Sequence, residues 1–297
     1  MSLSPASRLR TYASFVRFEH TLFSLPLLVA GAFSAPGPPL AASRWVLIGI
    51  AAVGARSAAL ALNRLIDRRI DALNPRTRTR ELPSGRMSLV EACGFLIVSA
   101  AVYLVACVLL GAWYVKVSWV PLLVFTVYPY FKRVTALCHL GVGAALALAP
   151  LAGYAAAHPD LAQPGPAWWL AGFTLAWVGG FDIIYATLDE EFDRAQGVRS
   201  VIAWLGRTRG LRVSAALHLI AFLCLLAAGG ALWRLGQTPK PIWAGPALAA
   251  ALAAAGALLI LEQRWAEDVN LAFFKVNVVV GFAALLVVLV TRASGGF

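Results

Sequence analysis

The chain has 297 residues, of which 60% are hydrophobic and 13% are charged, and its formal net charge is +11 at pH 7. Such a composition lies outside the range of soluble globular domains and indicates that the protein resides in a lipid bilayer. Basic residues accumulate on one side of membrane proteins as a matter of topology, so the positive charge does not indicate a nucleic-acid partner.

Apolar stretches long enough to cross ~30 Å of hydrocarbon recur along the chain. In chain order they are Phe15–Phe33, Trp45–Leu62, Leu89–Leu110, the shorter Val117–Phe131, Leu137–Ala157, Trp168–Tyr185, Val213–Leu232, Trp243–Leu261 and Leu271–Val290. Each run is too continuous for a barrel strand, and a helix satisfies its own backbone hydrogen bonds in lipid. We therefore predict an all-α, polytopic membrane bundle of about nine transmembrane helices that forms a single domain over residues 1–297.

The basic residues predict the orientation of this bundle. With a cytoplasmic N-terminus, most of the 25 Lys and Arg fall in inner segments, from Arg8 to Lys275. The outer segments then hold only Arg44, Lys116, Arg234, Lys240 and Arg292, and Arg56 lies inside a span. The positive-inside rule favours this topology.

Two of the predicted spans end in polar clusters with the same spacing. The members, four residues apart in each cluster, are Asn63, Asp67 and Asp71 in the second span and Tyr185, Asp189 and Asp193 in the sixth. Four-residue spacing keeps side chains on one face of a helix. Both clusters lie at the inner ends of their spans, where a charged ligand has access from the cytoplasm.

Each polar column continues deeper into the membrane. Arg56 precedes Asn63 by seven residues, and Asp182 precedes Asp189 by seven residues. An ionisable residue inside a span is a candidate functional residue because its burial is costly.

The chemistry of these columns points to a diphosphate held through magnesium. Paired carboxylates form the hard-oxygen sites that Mg²⁺ prefers, and Mg²⁺ commonly bridges to phosphate oxygens. The surrounding Arg side chains match the geometry of phosphate. A diphosphate with a long isoprenoid tail explains why such a site belongs on an apolar bundle. The four histidines, His20, His139, His158 and His218, show no metal-ligand spacing, and we interpret them as packing residues.

The two motifs resemble those of a known family. "NRLIDRRID" fits N-x-x-x-D-x-x-x-D, and "DIIYATLDEEFD" fits D-x-x-Y-x-x-x-D-x-x-x-D, of the UbiA-type intramembrane prenyltransferases. The resemblance extends to "VRFEHTLFSLPLL", "RELPSG", "YPYFKRVT" and "GVRSV". It implies a nine-helix bundle with a central prenyl-diphosphate cavity, Mg²⁺ dependence, and transfer of a polyprenyl group from its diphosphate to an acceptor that is usually aromatic.

Within the family, "FEHTLFSLP", "RELPSG", "TALCHL" and "FDIIYATLDEEFD" resemble the 4-hydroxybenzoate polyprenyltransferase branch. The implied acceptor is 4-hydroxybenzoate, in respiratory quinone biosynthesis; the alternative is 1,4-dihydroxy-6-naphthoate, on a route to menaquinone. The resemblance also implies a bacterial inner-membrane protein whose active site faces the cytoplasm. Its partners are then polyprenyl diphosphate, the aromatic acceptor and membrane lipid, with no nucleic acid.

The resemblance and the spacing together assign roles to the candidate residues. The expected Mg²⁺ ligands are Asn63, Asp67, Asp71, Asp189 and Asp193; the expected diphosphate-binding residues are Arg68, Arg76, Arg78, Arg80, Lys132 and Arg133. Tyr185 is expected to donate to a phosphate or to face the allylic cation. Arg56 is expected to pair with the acceptor carboxylate, and Asp182 to position its hydroxyl. We expect no cofactor other than Mg²⁺.

A secondary transporter is the alternative from another functional class, since transporters also contain internal repeats and intramembrane acids. Its polar residues are expected near the midplane with access from both sides, whereas both clusters here lie at the inner ends of spans.

Overall fold

The computed structural model describes residues 5–17, 21–159, 161, 165–266 and 276–295. The regular elements of this part of the chain are all helical, which confirms the predicted all-α class. The α-helices are α1 (Pro5–Phe15), α2 (Thr21–Ser34), α3 (Ala42–Leu73), α4 (Leu89–Leu110), α5 (Ala112–Val117), α6 (Trp119–Val127), α7 (Phe131–Val134), α8 (Cys138–Ala157), α9 (Pro166–Ala186), α10 (Glu190–Gln196), α11 (Val201–Leu205), α12 (Arg207–Leu235), α13 (Ala244–Arg264) and α14 (Asn277–Gly295). Short 3₁₀ turns at Tyr128–Tyr130 and Thr187–Asp189 link α6 to α7 and α9 to α10.

Among the described residues, seven helical segments are long and apolar enough to cross a membrane: α3, α4, α8, α9 with α10, α12, α13 and α14. The protein is therefore an integral membrane protein. The predicted first span is represented by a shorter apolar helix, Ser24–Ser34, within α2. The predicted fourth span is divided among α5, α6, a 3₁₀ turn and α7. Pro129 lies in that turn, and a proline has no N–H to continue an α-helix.

The ninth predicted span, Leu271–Val290, is described only in part. Residues 271–275, which include Lys275, lie outside the described residues, and α14 covers the remainder from Asn277 onward.

Helix α3 continues well beyond the predicted end of the second span at Leu62. It has 32 residues and ends at Leu73. At 1.5 Å per residue such a helix is about 48 Å long, which exceeds the ~30 Å hydrocarbon core. The first acidic motif, Asn63, Asp67 and Asp71, therefore lies on the same uninterrupted helix as the apolar span.

The described chain divides into two compact units. The first comprises Met1–Thr21 and Trp45–Phe131. Its core joins α1 to α3 and α4: the Phe95 ring stacks on Tyr12 at 5.6 Å between centroids and meets the edge of Phe15 at 5.8 Å. Phe15 also belongs to the buried cluster that contains Ala61 and Leu65 of α3. This packing fixes the N-terminal helix against the part of α3 that carries the first acidic motif.

The second unit comprises Leu22–Arg44 and Lys132–Phe297, and α9 is its most deeply buried helix. Helix α9 packs against α8 and α12. A side chain at Gly143 of α8 would overlap the Leu175 carbonyl of α9, so only a glycine allows the two backbones to approach this closely. Trp177 of α9 is fully buried and stacks on Phe173 with 5.4 Å between ring centroids.

A buried polar cluster links α9, α12, α13 and α14 in the same unit. The Trp177 indole donates to Asn277 Oδ1 at 3.0 Å, and the Glu262 carboxylate lies near both side chains, although neither of its oxygens accepts a hydrogen bond from the described residues. Glu262 is fully buried, and one of its oxygens lies 3.8 Å from His218 Nε2. Polar contacts of this kind join helices that are surrounded by lipid.

The second acidic motif departs from the expected single helical stripe. The 3₁₀ turn Thr187–Asp189 interrupts the helix between Tyr185 and Asp193. The Thr187 hydroxyl donates to the Ile184 carbonyl at 2.7 Å, an acceptor that the Thr187 N–H also uses. Because a 3₁₀ turn has three residues per turn rather than 3.6, the side chains that follow it are rotated relative to a continuous helix.

Candidate active site

The first acidic motif brings an amide and a carboxylate together on α3. The Asn63 Nδ2 atom donates to Asp67 Oδ2 at 3.1 Å, one helical turn further on. Asp67 is buried, with 1% of its surface exposed, and Asp71 is also buried. The side chains of Asn63 and Asp67 are thus adjacent, as the four-residue spacing predicts.

Asp71, the third member of the motif, is held by arginines. The Nη1 atom of Arg80 lies 2.8 Å from both Asp71 carboxylate oxygens. Arg64, which is buried on α3, has Nη1 4.0 Å from Asp71 Oδ2. The structure therefore brings together a predicted metal ligand and a predicted diphosphate-binding residue as an ion pair.

The segment after α3 holds Arg80 in place through its own hydrogen bonds. The Thr77 hydroxyl donates to the Asp71 carbonyl at 3.0 Å, which folds the chain back onto the end of α3. Next to Arg80, the buried Glu81 accepts a hydrogen bond of 2.6 Å from the Ser14 hydroxyl and lies 3.6 Å from Arg86 Nη2. The "RELPSG" segment is thereby fixed to α1 and to the first motif.

The second acidic motif holds a buried carboxylate next to a lysine. Asp193 of α10 is buried and hydrogen-bonds the Ser200 hydroxyl. Asp189 and Lys132 both interact with Asp193 electrostatically, the first unfavourably and the second favourably. Two carboxylates close enough to repel each other, beside a cation, are suited to share a bound divalent metal.

Arg199 ties together the two segments that surround Asp193. Its N–H donates to the Lys132 carbonyl at 2.7 Å, and its Nη1 donates to the Val134 carbonyl, also at 2.7 Å. The Cys138 thiol donates to the Arg199 carbonyl at 3.3 Å. The segments "YPYFKRVT" and "GVRSV" are therefore neighbours, and this contact places Lys132 near the second motif.

Asp182, the predicted acceptor-binding residue of α9, is paired with a histidine of α8. The His139 Nδ1 atom lies 2.6 Å from Asp182 Oδ2, and the Val201 N–H donates to His139 Nε2 at 3.3 Å. Interpreting His139 as a packing residue missed this contact. Because the two residues lie 43 positions apart, no helical spacing in the sequence could have predicted the contact.

The other predicted residues differ in how exposed they are. Arg68 is exposed and donates to the Leu65 carbonyl of its own helix at 3.1 Å. Arg78 and Arg133 are exposed as well, whereas Arg76 is half-buried. In the helices, Arg56 is half-buried in α3 and Tyr185 is half-buried in the last turn of α9.

The donor set of each motif fits Mg²⁺. Within the described residues there is no group of three or more His, Cys, Asp and Glu side chains arranged to hold a metal ion. Mg²⁺ does not require such a cage, because it keeps several waters and is commonly bound by one or two carboxylates plus substrate phosphates. Asn63 with Asp67, and Asp189 with Asp193, each supply oxygen donors of that kind.

Comparison with known proteins gives consistent matches over most of the chain. A sequence profile of the UbiA prenyltransferase family matches residues 24–279. The 4-hydroxybenzoate octaprenyltransferase of Shewanella denitrificans is 30% identical over 227 residues, which are 75% of this chain and 76% of the relative. The apo structure of a UbiA homologue from Aeropyrum pernix K1 superimposes with a TM-score of 0.78 at 32% identity, covering 90% of this chain and 95% of the other.

A UbiA homologue from Archaeoglobus fulgidus, solved with GPP and Mg²⁺ bound, shares the fold. Its TM-score is 0.65 at 18% identity, and the match covers 95% of this chain and 98% of that chain.

Proposed function

Because this chain belongs to the UbiA prenyltransferase family, we propose that it transfers a polyprenyl group from polyprenyl diphosphate to an aromatic hydroxy-carboxylate. We further propose that the acceptor is 4-hydroxybenzoate, that the reaction depends on Mg²⁺, and that the product enters respiratory quinone biosynthesis. The name of the Shewanella denitrificans relative supports the acceptor, and the ligands of the Archaeoglobus fulgidus homologue support the donor class and the metal.

The observation that supports the proposal most strongly is the burial of the acidic side chains in both motifs. Asp67, Asp71 and Asp193 are buried at the ends of membrane-length helices, and each lies beside an amide, a cation or another acid. Burying carboxylates is costly, so their presence in both motifs indicates a ligand that needs negative charge on the protein. A metal-bound diphosphate is such a ligand.

In this reaction the allylic C–O bond to diphosphate breaks and a ring carbon ortho to the hydroxyl bonds to the allylic carbon. The ring then loses the proton from that carbon. Mg²⁺, when bound, neutralises the charge that develops on the departing diphosphate.

The residues of the first motif divide the work of binding the metal and the diphosphate. Asn63 and Asp67 supply metal ligands, with the Asn63 amide fixing the orientation of the Asp67 carboxylate. Asp71 is the third ligand. Arg80 holds it in the free protein, and with a metal on Asp71 the Arg80 guanidinium would be available to phosphate oxygens.

The residues of the second motif are proposed to have the same roles, in binding the metal and the diphosphate. Asp189 and Asp193 supply metal ligands, and Lys132 compensates the negative charge of a diphosphate. Arg68, Arg76, Arg78 and Arg133 add to the positive charge at the inner surface. Tyr185 donates to a phosphate or faces the allylic cation.

The acceptor is proposed to bind deeper in the membrane than the diphosphate. Arg56 pairs with its carboxylate, and Asp182 accepts a hydrogen bond from its hydroxyl. We also propose that the inner ends of the spans face the cytoplasm of a bacterial inner membrane, as the distribution of basic residues predicts.

The test uses the purified protein in liposomes with geranyl diphosphate, Mg²⁺, and either 4-hydroxybenzoate or 1,4-dihydroxy-6-naphthoate. We expect a prenylated ring and stoichiometric diphosphate with 4-hydroxybenzoate, and no product with EDTA; product with 1,4-dihydroxy-6-naphthoate alone would contradict the proposed acceptor. Asp67→Asn and Asp189→Asn are each expected to lower the rate by at least about 100-fold. The matched control is Glu191→Gln, which changes an exposed acid of α10 outside the motif spacing.

Binding of the metal is measured separately from turnover. Mg²⁺ is expected to raise the melting temperature of the wild type and to raise that of Asp67→Asn less, because a ligand that binds only the folded state stabilises it. Full turnover in EDTA, or solute accumulation in the liposomes without release of diphosphate, would contradict the proposal; the second result would indicate a transporter.

A further inference from the structure

The contact between His139 and Asp182 has the geometry of a hydrogen-bond relay with a fixed direction. The Val201 N–H points at His139 Nε2, so this nitrogen is an acceptor and the ring proton is on Nδ1. Nδ1 then donates to Asp182 Oδ2 at 2.6 Å. One carboxylate oxygen of Asp182 is therefore occupied by the protein itself.

The imidazole is held from three elements of the same unit. His139 lies in the first turn of α8, Asp182 lies near the inner end of α9, and Val201 is the first residue of α11. Helices α8 and α9 approach so closely at Gly143 that a side chain there would overlap the α9 backbone. The His139 ring thus has little freedom to change its distance from Asp182.

The two side chains differ in their access to ligands. The His139 side chain is 4% exposed, whereas the Asp182 side chain is 26% exposed. The histidine is therefore shielded from a bound molecule, and the aspartate is the member of the pair that a molecule can reach. This arrangement suits a residue that orients another rather than one that touches the substrate.

We propose that His139 is a positioning residue for the acceptor: its Nδ1–H holds one oxygen of Asp182, so that the other oxygen meets the hydroxyl of the aromatic acceptor in a fixed direction. The inference rests on the proposed function, in particular on the acceptor role of Asp182. In this proposal the phenolic hydroxyl is bound by Asp182 together with His139, which orients it, and not by the Asp182 carboxylate alone. Loss of the histidine leaves the carboxylate free to rotate.

The test compares two variants of similar volume. His139→Gln retains an amide N–H that can donate to Asp182, and His139→Leu retains none. Removing a hydrogen bond to a charged group that orients a ligand-binding residue is expected to lower kcat/KM for the acceptor by about 10- to 100-fold in His139→Leu. We expect His139→Gln to recover most of this loss, and we expect the KM for geranyl diphosphate to stay within about twofold in both.

A double-mutant cycle separates positioning from a general structural role. If His139 acts through Asp182, His139→Leu changes kcat/KM by less than about twofold in an Asp182→Ala background. The matched control is His158→Leu, which removes an exposed histidine at the other end of α8 and is expected to leave both KM values unchanged. Melting temperatures of all variants establish that they fold.

The possible results distinguish this inference from the proposed function. A wild type that prenylates neither acceptor contradicts the proposed function. With an active wild type, the inference is overturned by any of three results: an undiminished effect of His139→Leu in the Asp182→Ala background, an equal rise in the KM of geranyl diphosphate, or a failure of His139→Gln to recover activity while remaining folded.

Discussion

The ion pair between Arg80 and Asp71 is expected to stabilise the first unit. Because each residue acts mainly through its contact with the other, the effects of mutating them should be coupled. Arg80 Nη1 lies 2.8 Å from both carboxylate oxygens, and only 8% of the Asp71 side chain is exposed. In Arg80→Met the aliphatic stem remains but the charge is lost. Asp71 then retains Arg64, whose nearest nitrogen is 4.0 Å away.

The size of the effect follows from the burial of the two partners. Breaking a fully buried ion pair costs about 3–5 kcal/mol, and an exposed pair contributes about 0–1 kcal/mol. The Arg80 side chain is 20% exposed, and Arg64 compensates part of the charge on Asp71. We therefore expect Arg80→Met to lower the free energy of unfolding by about 2 kcal/mol, between the two limits.

The measurement is unfolding in mixed micelles titrated with SDS, followed by far-UV circular dichroism, for the wild type, Arg80→Met, Asp71→Asn and the double variant. We expect the double variant to be more stable than the sum of the single effects predicts, by about 1 kcal/mol or more. Arg78→Met, an exposed arginine of the same segment, is the control and should change the free energy by less than about 0.5 kcal/mol. Additive single effects would refute the coupling that the geometry implies.

Two further predictions concern the second unit and use the same unfolding assay. Glu262→Leu is expected to raise the free energy of unfolding by about 1 kcal/mol or more, because neither oxygen of this fully buried carboxylate accepts a hydrogen bond from the described residues. Glu262→Gln keeps a buried polar group and should stay within about 1 kcal/mol of the wild type; a loss of stability in Glu262→Leu would show that the carboxylate is favourably paired. Gly153→Val places a side chain against the Leu28 carbonyl where α8 crosses α2, and we expect a loss of about 1–3 kcal/mol. Gly230→Val on α12, where a side chain meets open space, is the control, and a similar loss there would attribute the effect to helix propensity instead of packing.

The sequence predicted the features that depend on local pattern. Hydropathy located the membrane-length helices, and four-residue spacing correctly placed Asn63 against Asp67 because both lie on one uninterrupted helix. The same rule was less accurate for Tyr185 and Asp193, because side-chain to backbone hydrogen bonding at Thr187 tightens the helix between them.

Contacts between residues far apart in the sequence could not be predicted from helical spacing. Arg80 was predicted as a phosphate ligand, but its distance from Asp71 depends on how the chain turns after α3, which Thr77 determines. His139 and Asp182 meet because α8 and α9 pack closely, and no spacing in the sequence encodes that crossing. The functional importance of a single polar residue in an apolar helix is therefore easily underestimated when its partner on another helix is unknown.

The 3₁₀ turn at Thr187–Asp189 also separates the tightly packed helix that carries Asp182 from the short helix that carries Asp193. Helix α9 is locked on nearly every side by its neighbours, so a substitution that moved it would disturb the whole unit. The turn lies between this tightly packed helix and α10. Changes in its three residues are therefore expected to alter the direction of the Asp193 side chain without moving Asp182. The residue proposed to bind the donor end can therefore change direction without disturbing the helix that carries the residue proposed to bind the acceptor.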